Sequence, residues 1–345
     1  MEIKDRKKKI LEAIIKDYIN YAEPIGSRTL SKRHSLGISP ATIRNEMADL
    51  EDLGFLIQPH TSSGRIPTQQ AYRYYVDEIM QIQKLTEVLR NDIHSGYLNS
   101  SIELHNTMDH TAQVLSTLTN YTSVVLAPRF SRFNCKHVQV IPLIRKRILL
   151  IVVTMEGIAK NIEMSLSEEI NMMVALRLSN ALNSLMKNIA FQEMGVDLVY
   201  QLKELSDFET KMLQEILPIL KAELLAEVTE IHSGGVTNLF NYPEFSNVER
   251  IKNLLSVMGE KQVLGNLLRT KAEDSTKLTI HIGDENKEAA LKELSIITTT
   301  YEVNGEVIGA LGIIGPTRMD YDKVGSVLEY IRTELNNNIK KLLSE

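Results

Sequence analysis

Apolar positions recur along this chain at two periods, and the places where the period changes mark its parts. Between Ser39 and Gly54 the apolar residues Ile43, Met47, Leu50 and Leu53 fall at helical spacing and form one stripe. Ser39 precedes that stripe as an N-cap, Pro40 fills the first turn where a missing N–H costs nothing, and Gly54 ends the helix. Upstream, Pro24-Ile25-Gly26 forms a turn. Ser27 reads as the N-cap of a short helix from Arg28 to His34, and Leu36-Gly37-Ile38 breaks it. Beyond Gly54 the helical spacing stops: Phe55-Leu56-Ile57 reads as a strand, Thr61-Ser62-Ser63-Gly64 as a turn, and Arg65-Ile66 as a return strand closed by Pro67. Thr68 then opens a helix whose stripe of Tyr72, Tyr75, Val76 and Ile79 is expected to pack beneath the hairpin and lead out of the first domain.

The pattern predicts a polar helix from Gln81 to His94, a break at Gly96-Tyr97-Leu98-Asn99-Ser100, and a helix from Ile102 to Leu118. Strands follow at Ser123–Leu126, Val138–Leu143, Ile148–Thr154 and Ile158–Met164, with Glu156-Gly157 turning between the last two. A helical block comes next. Its signals are a helix from Ser167 to Ile189, a capping box at Ser206-Asp207-Phe208-Glu209 opening a helix to His232 that Pro218 can kink, and a second box at Ser246-Asn247-Val248-Glu249. Strands resume at Lys277–Ile282, then Ile296–Val303 and Glu306–Ile314 flank the hairpin dipeptide Asn304-Gly305. Val324, Leu328, Ile331, Leu335, Ile339 and Leu342 form an amphipathic closing helix. The fold class expected is α+β: a winged helix-turn-helix, then an antiparallel sheet domain interrupted by a mainly helical insertion from about Ser167 to Ala272.

Helix, turn, helix and Gly-tipped hairpin in that order make a DNA-reading unit. Around the second helix, Ala41, Asn45 and Ala48 point away from the apolar stripe, with Thr42 and Arg44 on its flanks. A small-residue face with one Arg and one Asn suits a major groove, because Arg pairs bidentately with guanine and Asn with adenine. Glu46, Asp49, Glu51 and Asp52 lie mostly in later turns, away from phosphate. The hairpin can present Arg65 and backbone N–H groups to phosphate. The candidate DNA-facing residues are Arg28, Ser39, Ala41, Thr42, Arg44 and Asn45, with His60, Ser63 and Arg65 on the hairpin.

Two longer strings, Ser39-Pro40-Ala41-Thr42-Ile43-Arg44-Asn45-Glu46-Met47-Ala48-Asp49-Leu50-Glu51 and Gln58-Pro59-His60-Thr61-Ser62-Ser63-Gly64-Arg65-Ile66-Pro67-Thr68, closely resemble the HrcA family of heat-inducible transcription repressors. Asn238-Leu239 with Pro243-Glu244-Phe245, and Ile314-Gly315-Pro316-Thr317-Arg318-Met319-Asp320-Tyr321, agree with it. The resemblance implies a dimeric repressor that binds an inverted-repeat operator, called CIRCE, upstream of chaperone operons, with the chaperonin GroEL keeping it competent. It also implies a winged helix at residues 1–80, a GAF-like domain with linker helices at 81–166 and 273–345, and a dimerisation domain inserted at 167–272.

Charge changes this picture modestly. The net charge of −5 divides into twelve Lys/Arg against nine Asp/Glu through Val76 (+3) and twenty-seven against thirty-five beyond it (−8). A basic head on an acidic body can orient a protein on a duplex. The Lys7-Lys8-Lys9 run reads as a solvated helix face. The single cysteine, Cys135, excludes an intramolecular disulfide and a multi-cysteine metal site, and a cytoplasmic location is expected. No apolar run is long enough to span a bilayer. Catalysis has little support: the histidines are scattered, and Gly309, Gly312 and Gly315 sit in a strand, where they permit close packing or a bulge, not in a phosphate loop. No cofactor or metal is expected. The alternative reading is a winged-helix regulator controlled by a small-molecule effector in its GAF-like domain, although the strand segments show no clear group of convergent polar residues.

Overall fold

The computed structural model describes residues 5–60, 63–99, 104–128, 135–155, 159–186, 205–225, 230–247, 278–303 and 305–344, with isolated positions between 252 and 268. Helix α1 (Asp5–Tyr21) buries Ile10, Leu11, Ile14 and Ile15 in the core it shares with α3 (Pro40–Asp52), and α2 (Ser27–Arg33), whose Leu30 is buried, packs on α3. The N-cap of α2 is Gly26, which has no side chain to accept a hydrogen bond, so Ser27 lies one residue inside the helix it was expected to cap. Helix α2 ends at an extended His34, with Gly37 at φ +67° in the turn that follows, and Gly54, at φ +80°, stops α3 in the left-handed region where a Cβ is costly. Strands β1 (Leu56–Ile57) and β2 (Ile66–Pro67) form the hairpin. Ile25 and Arg65 exchange backbone hydrogen bonds of 2.9 Å in each direction, adding a third edge to the hairpin. Thr68 caps α4 (Gln69–Glu78) by accepting from the Ala71 N–H at 3.3 Å. The wing tip at Thr61-Ser62 lies outside the described residues.

Residues 81–86 are not helical; α5 spans Glu87–Asn99 and carries Gly96 and Tyr97 inside it, where a break was expected, and residue 100 lies outside the described residues. Gly96 is tolerated there because α6 (Leu104–Thr119) approaches closely: a Cβ would stand 3.0 Å from His110 Nε2. The body is one antiparallel sheet of order β7-β3-β10-β9-β8, made of β3 (Thr122–Leu126), β7 (Ile231–Gly234), β8 (Thr279–Ile282), β9 (Leu294–Val303) and β10 (Glu306–Pro316). Alternation divides its side chains between two cores. Val125, Ile297, Tyr301, Leu311 and Ile313 join α5, α6 and the closing helix α9 (Tyr321–Ser344), while Val124, Leu126, Ile296, Ala310 and Ile314 join Leu239, Phe245, Leu264 and Leu268. Both faces are covered, which is why β3 is buried throughout, Thr122 and Ser123 included. Gly309 sits at a register shift of β10, where a Cβ would lie 2.3 Å from the Tyr301 ring.

The structure divides the chain differently from the expected 81–166, 167–272 and 273–345. Strands β4 (Cys135–Pro142), β5 (Arg147–Thr154) and β6 (Ala159–Ser165) form a separate sheet of order β4-β5-β6. They share a core of their own with α7 (Met172–Met186) and α8 (Asp207–Leu225). Helix α8 opens with the expected box, Ser206 N–H donating to Glu209 Oε2 at 3.0 Å, but it ends at Leu225, and β7 occupies the residues read as its tail. Helix α7 begins at Met172 and not at Ser167; Asn171 Oδ1 accepts from the Val174 N–H at 3.0 Å. The entry and exit of this unit meet: Leu126 pairs with Ile231 across β3 and β7, and the Ala127 N–H donates to the Glu230 carbonyl at 2.9 Å. The insertion therefore replaces the turn of a hairpin. Local signals could not reveal this, since sheet membership is set by pairing between strands far apart in the chain. The second capping box at 248–249 and the Leu342 side chain lie outside the described residues.

Candidate nucleic-acid interface

Helix α3 is set by its first turn. Ser39 Oγ accepts from the Thr42 N–H at 3.1 Å, and the two hydroxyls lie 3.0 Å apart. With Ile43, Met47 and Leu50 buried, the 3.6-residue repeat turns Ala41, Arg44 and Asn45 outward, with Thr42 and Ala48 half-buried beside them. Ser39 is exposed at the same end, and Arg28 is exposed in the first turn of α2. Among the described residues neither Arg28 nor Arg44 has an ion-pair partner, so both guanidinium groups are available to an anion or a base edge. The outward face is narrow, small at its centre and flanked by one fork-shaped donor and one amide.

Three carboxylates of the later turns, Glu46, Asp49 and Glu51, are neutralised from two sides. Lys7 on α1 bridges Glu46 at 3.2 Å and Asp49 at 2.8 Å, with Arg6 at 3.5 Å from Glu46. Hydrogen bonds that the Lys7 ammonium donates to Asp49 and then Glu46 hold its pKa above the ordinary range. On the other side, Arg65 of the hairpin reaches Glu51 Oε2 through Nε at 2.7 Å and Nη2 at 2.6 Å. The Arg65 guanidinium is thus drawn back onto α3, where the sequence reading has it facing phosphate. Sequence alone gave no sign of these ties. Their partners lie far along the chain, and Lys8, read as solvated, likewise donates to the Glu78 carbonyl at 2.6 Å, 70 residues away.

On the hairpin, His60 is exposed, whereas Ser63 Oγ closes the turn, donating to the His60 carbonyl at 2.7 Å and accepting its N–H at 3.0 Å. Gly64 has no room for a Cβ, which would stand 2.4 Å from the Ile25 carbonyl carbon. Ser39, Ala41, Thr42, Arg44 and Asn45 therefore share one surface of α3, Arg28 stands on α2, and His60 and Ser63 lie on the hairpin. Among the described residues no group of three or more His, Cys, Asp or Glu could hold a metal, and no helix is long and apolar enough to cross a membrane.

Comparison with known proteins places both parts of the chain in one family. Residues 2–84 match a family model described as a winged helix-turn-helix transcription repressor, HrcA DNA-binding, and residues 105–324 match one described as the HrcA protein C terminal domain. Heat-inducible transcription repressor HrcA of Ruminiclostridium cellulolyticum is 40% identical over 346 residues, covering 99% of each chain. Those of Alkaliphilus metalliredigens and Clostridium tetani are 39% and 40% identical, the alignments covering 99% of this chain and 99% and 97% of theirs. A crystal structure described as that of a hypothetical protein shares the fold, with a TM-score of 0.69 and 23% identity over 99% of this chain and 100% of that one.

Proposed function

The chain belongs to the HrcA family of heat-inducible transcription repressors, with a DNA-binding winged helix and no enzymatic role, and from that premise we propose that it binds an inverted-repeat, CIRCE-like operator as a dimer. The observation that carries this reading is the outward face of α3, where Ala41, Thr42, Arg44 and Asn45 stand exposed or half-exposed beside the Ser39 cap while the helix's carboxylates Glu46, Asp49 and Glu51 are paired with Lys7 and Arg65. Arg44 and Asn45 read base edges, and Arg28, His60 and Ser63 with the backbone around them position the unit on phosphate. One winged helix reads one half-site, so an inverted repeat calls for two related by a twofold axis.

The inserted unit from about 128 to 229 supplies the dimer contact. Its α7 carries Met172, Met173 and Leu176 at 69%, 69% and 57% exposure, apolar area that solvent does not favour. GroEL modulates the repressor by titration: heat-unfolded proteins occupy the chaperonin, the repressor loses its folding partner, and chaperone genes are released. This requires a marginal fold, in which about 1–2 kcal/mol changes the active fraction several-fold.

Selection of bound fragments from genomic DNA tests the first part, and an enriched inverted repeat before chaperone genes is the expected result. Titration of that repeat at fixed repressor, with and without chaperonin and nucleotide, tests the second. The active fraction should rise while the dissociation constant of the active dimer stays the same. A fraction already near one and indifferent to chaperonin would refute titration.

A further inference from the structure

Two segments that the DNA-reading surface does not use, Pro243-Glu244-Phe245 and Gly315 to Tyr321, meet at the seam between winged helix and body. Arg318, only 7% exposed, reaches Glu244 through Nε and, at 3.2 Å, through Nη2, though 74 residues separate them. Its Nη1 donates to the Ile19 carbonyl at 2.9 Å, in the last turn of α1. Carbonyls there have no partner within the helix, and a cation is favoured at that end of the dipole. The guanidinium lies 5.4 Å over the Tyr242 ring, which stacks on Tyr121, and the Tyr121 hydroxyl accepts from the Asp320 N–H at 3.2 Å. One side chain of the body therefore grips α1 and is itself held on three sides.

A second grip runs the other way. Arg73 on α4 donates to Glu285 Oε1 at 2.8 Å and to the Ile280 carbonyl at 2.6 Å, both on the body. On the same helix Gln69 Oε1 accepts from the Asp284 N–H at 2.9 Å, and the Tyr75 hydroxyl donates to Asp322. Beneath these contacts a single apolar core runs from Ile10 and Tyr72 through Tyr321 and Val324. A lone grip leaves rotation about itself free. Two, on different helices, remove it.

We propose that Arg318 and Arg73 are positioning residues that fix the winged helix in one orientation on the body, and so set which half-site spacing the dimer accepts. The inference rests on the dimeric, inverted-repeat reading above. A rigid dimer presents its two recognition helices at one separation and one helical phase, whereas loosely attached heads adapt to many.

The test uses full-length protein and three duplexes: the inverted repeat recovered by selection, the same repeat with the spacer lengthened by about five base pairs, roughly half a helical turn, and a single half-site. Wild type should strongly prefer the native spacer. The Arg73→Gln/Arg318→Gln protein should lose roughly tenfold or more of that preference while its half-site affinity stays within about twofold, since base contacts are untouched. Glu244→Gln/Glu285→Gln removes the same ion pairs from the acceptor side at constant size and should behave alike. Double variants that keep the wild-type spacing preference overturn the proposal alone. Loss of half-site binding in both, together with a lost circular-dichroism melt, overturns it too, because the contacts would then hold the fold and not the orientation. A wild-type protein indifferent to spacing overturns the dimeric reading and the proposal with it.

Discussion

Arg44 and Asn45 occupy adjacent positions on α3 and are both exposed, so their contributions are separable by substitution. Arg44→Ala and Asn45→Ala should each weaken operator binding by about 1–3 kcal/mol while sparing scrambled DNA. Gel-shift titrations on both DNAs measure the difference, and equal losses on the two would remove either residue from base reading. Arg65 is a different case, since Glu51 holds it at 2.6–2.7 Å. Arg65→Ala should lower affinity for both DNAs with the salt dependence unchanged, because the guanidinium anchors the hairpin to α3. Glu51→Gln should free that guanidinium for phosphate and steepen the slope of log K on log salt by about 0.9. A slope flattened in Arg65→Ala would return the residue to phosphate. The candidate residues themselves were legible in sequence because helical period fixes which side chains share a face. Where Arg65 points was not, because its partner is chosen by the packing of hairpin on helix.

At the scale of elements, the hairpin depends on a close approach. A Cβ on Gly64 would stand 2.4 Å from the Ile25 carbonyl carbon, inside the pair of 2.9 Å backbone bonds that joins Ile25 to Arg65. Gly64→Ala should peel the hairpin from that edge. Hydrogen exchange at the Ile25 and Arg65 amides should quicken and operator affinity fall, with the melting of the body unaltered; unchanged exchange would contradict this. Ser39→Ala should cost about 0.5–2 kcal/mol by leaving the Thr42 N–H without its cap, read as a lowered denaturation midpoint. Capping and turn signals located α3, α4, α8 and the β9–β10 hairpin because they act within a few residues. They misplaced the N-cap of α2, the start of α7 and the ends of α5 and α8, and in the last case pairing with β3 claims Ile231 and His232 for β7.

For the whole molecule, the insertion predicts an experiment of its own. Its ends are hydrogen-bonded neighbours, Ala127 and Glu230, so replacing residues 128–229 by an Asn-Gly turn should leave winged helix and body folded. The shortened chain should be monomeric and bind the operator poorly, because only one half-site is read at a time. Light scattering with a gel shift decides, and a folded, still dimeric deletion would place the interface elsewhere. The outward apolar residues of α7 give a finer version of the same test, in which Met172→Lys with Leu176→Lys yields monomers without loss of fold.

What the sequence determined by itself is what short-range chemistry controls: the winged helix, its outward-facing residues, the strands other than β7 and most caps, together with the family to which those strings belong. Tertiary structure decided the partners. Strands β4 to β6 read as strands in the same way as β3 and β9, and only pairing places them in a second sheet with α7 and α8. Glu244, Ile19 and Arg318 come together through the fold of the whole chain, as do Lys7 with Asp49 and Arg65 with Glu51. The physical reason is the same in each instance. Periodicity and capping energies depend on neighbours a few residues away, whereas ion pairs and sheet membership are settled by which surfaces bury most apolar area together, and that choice is made across the entire chain.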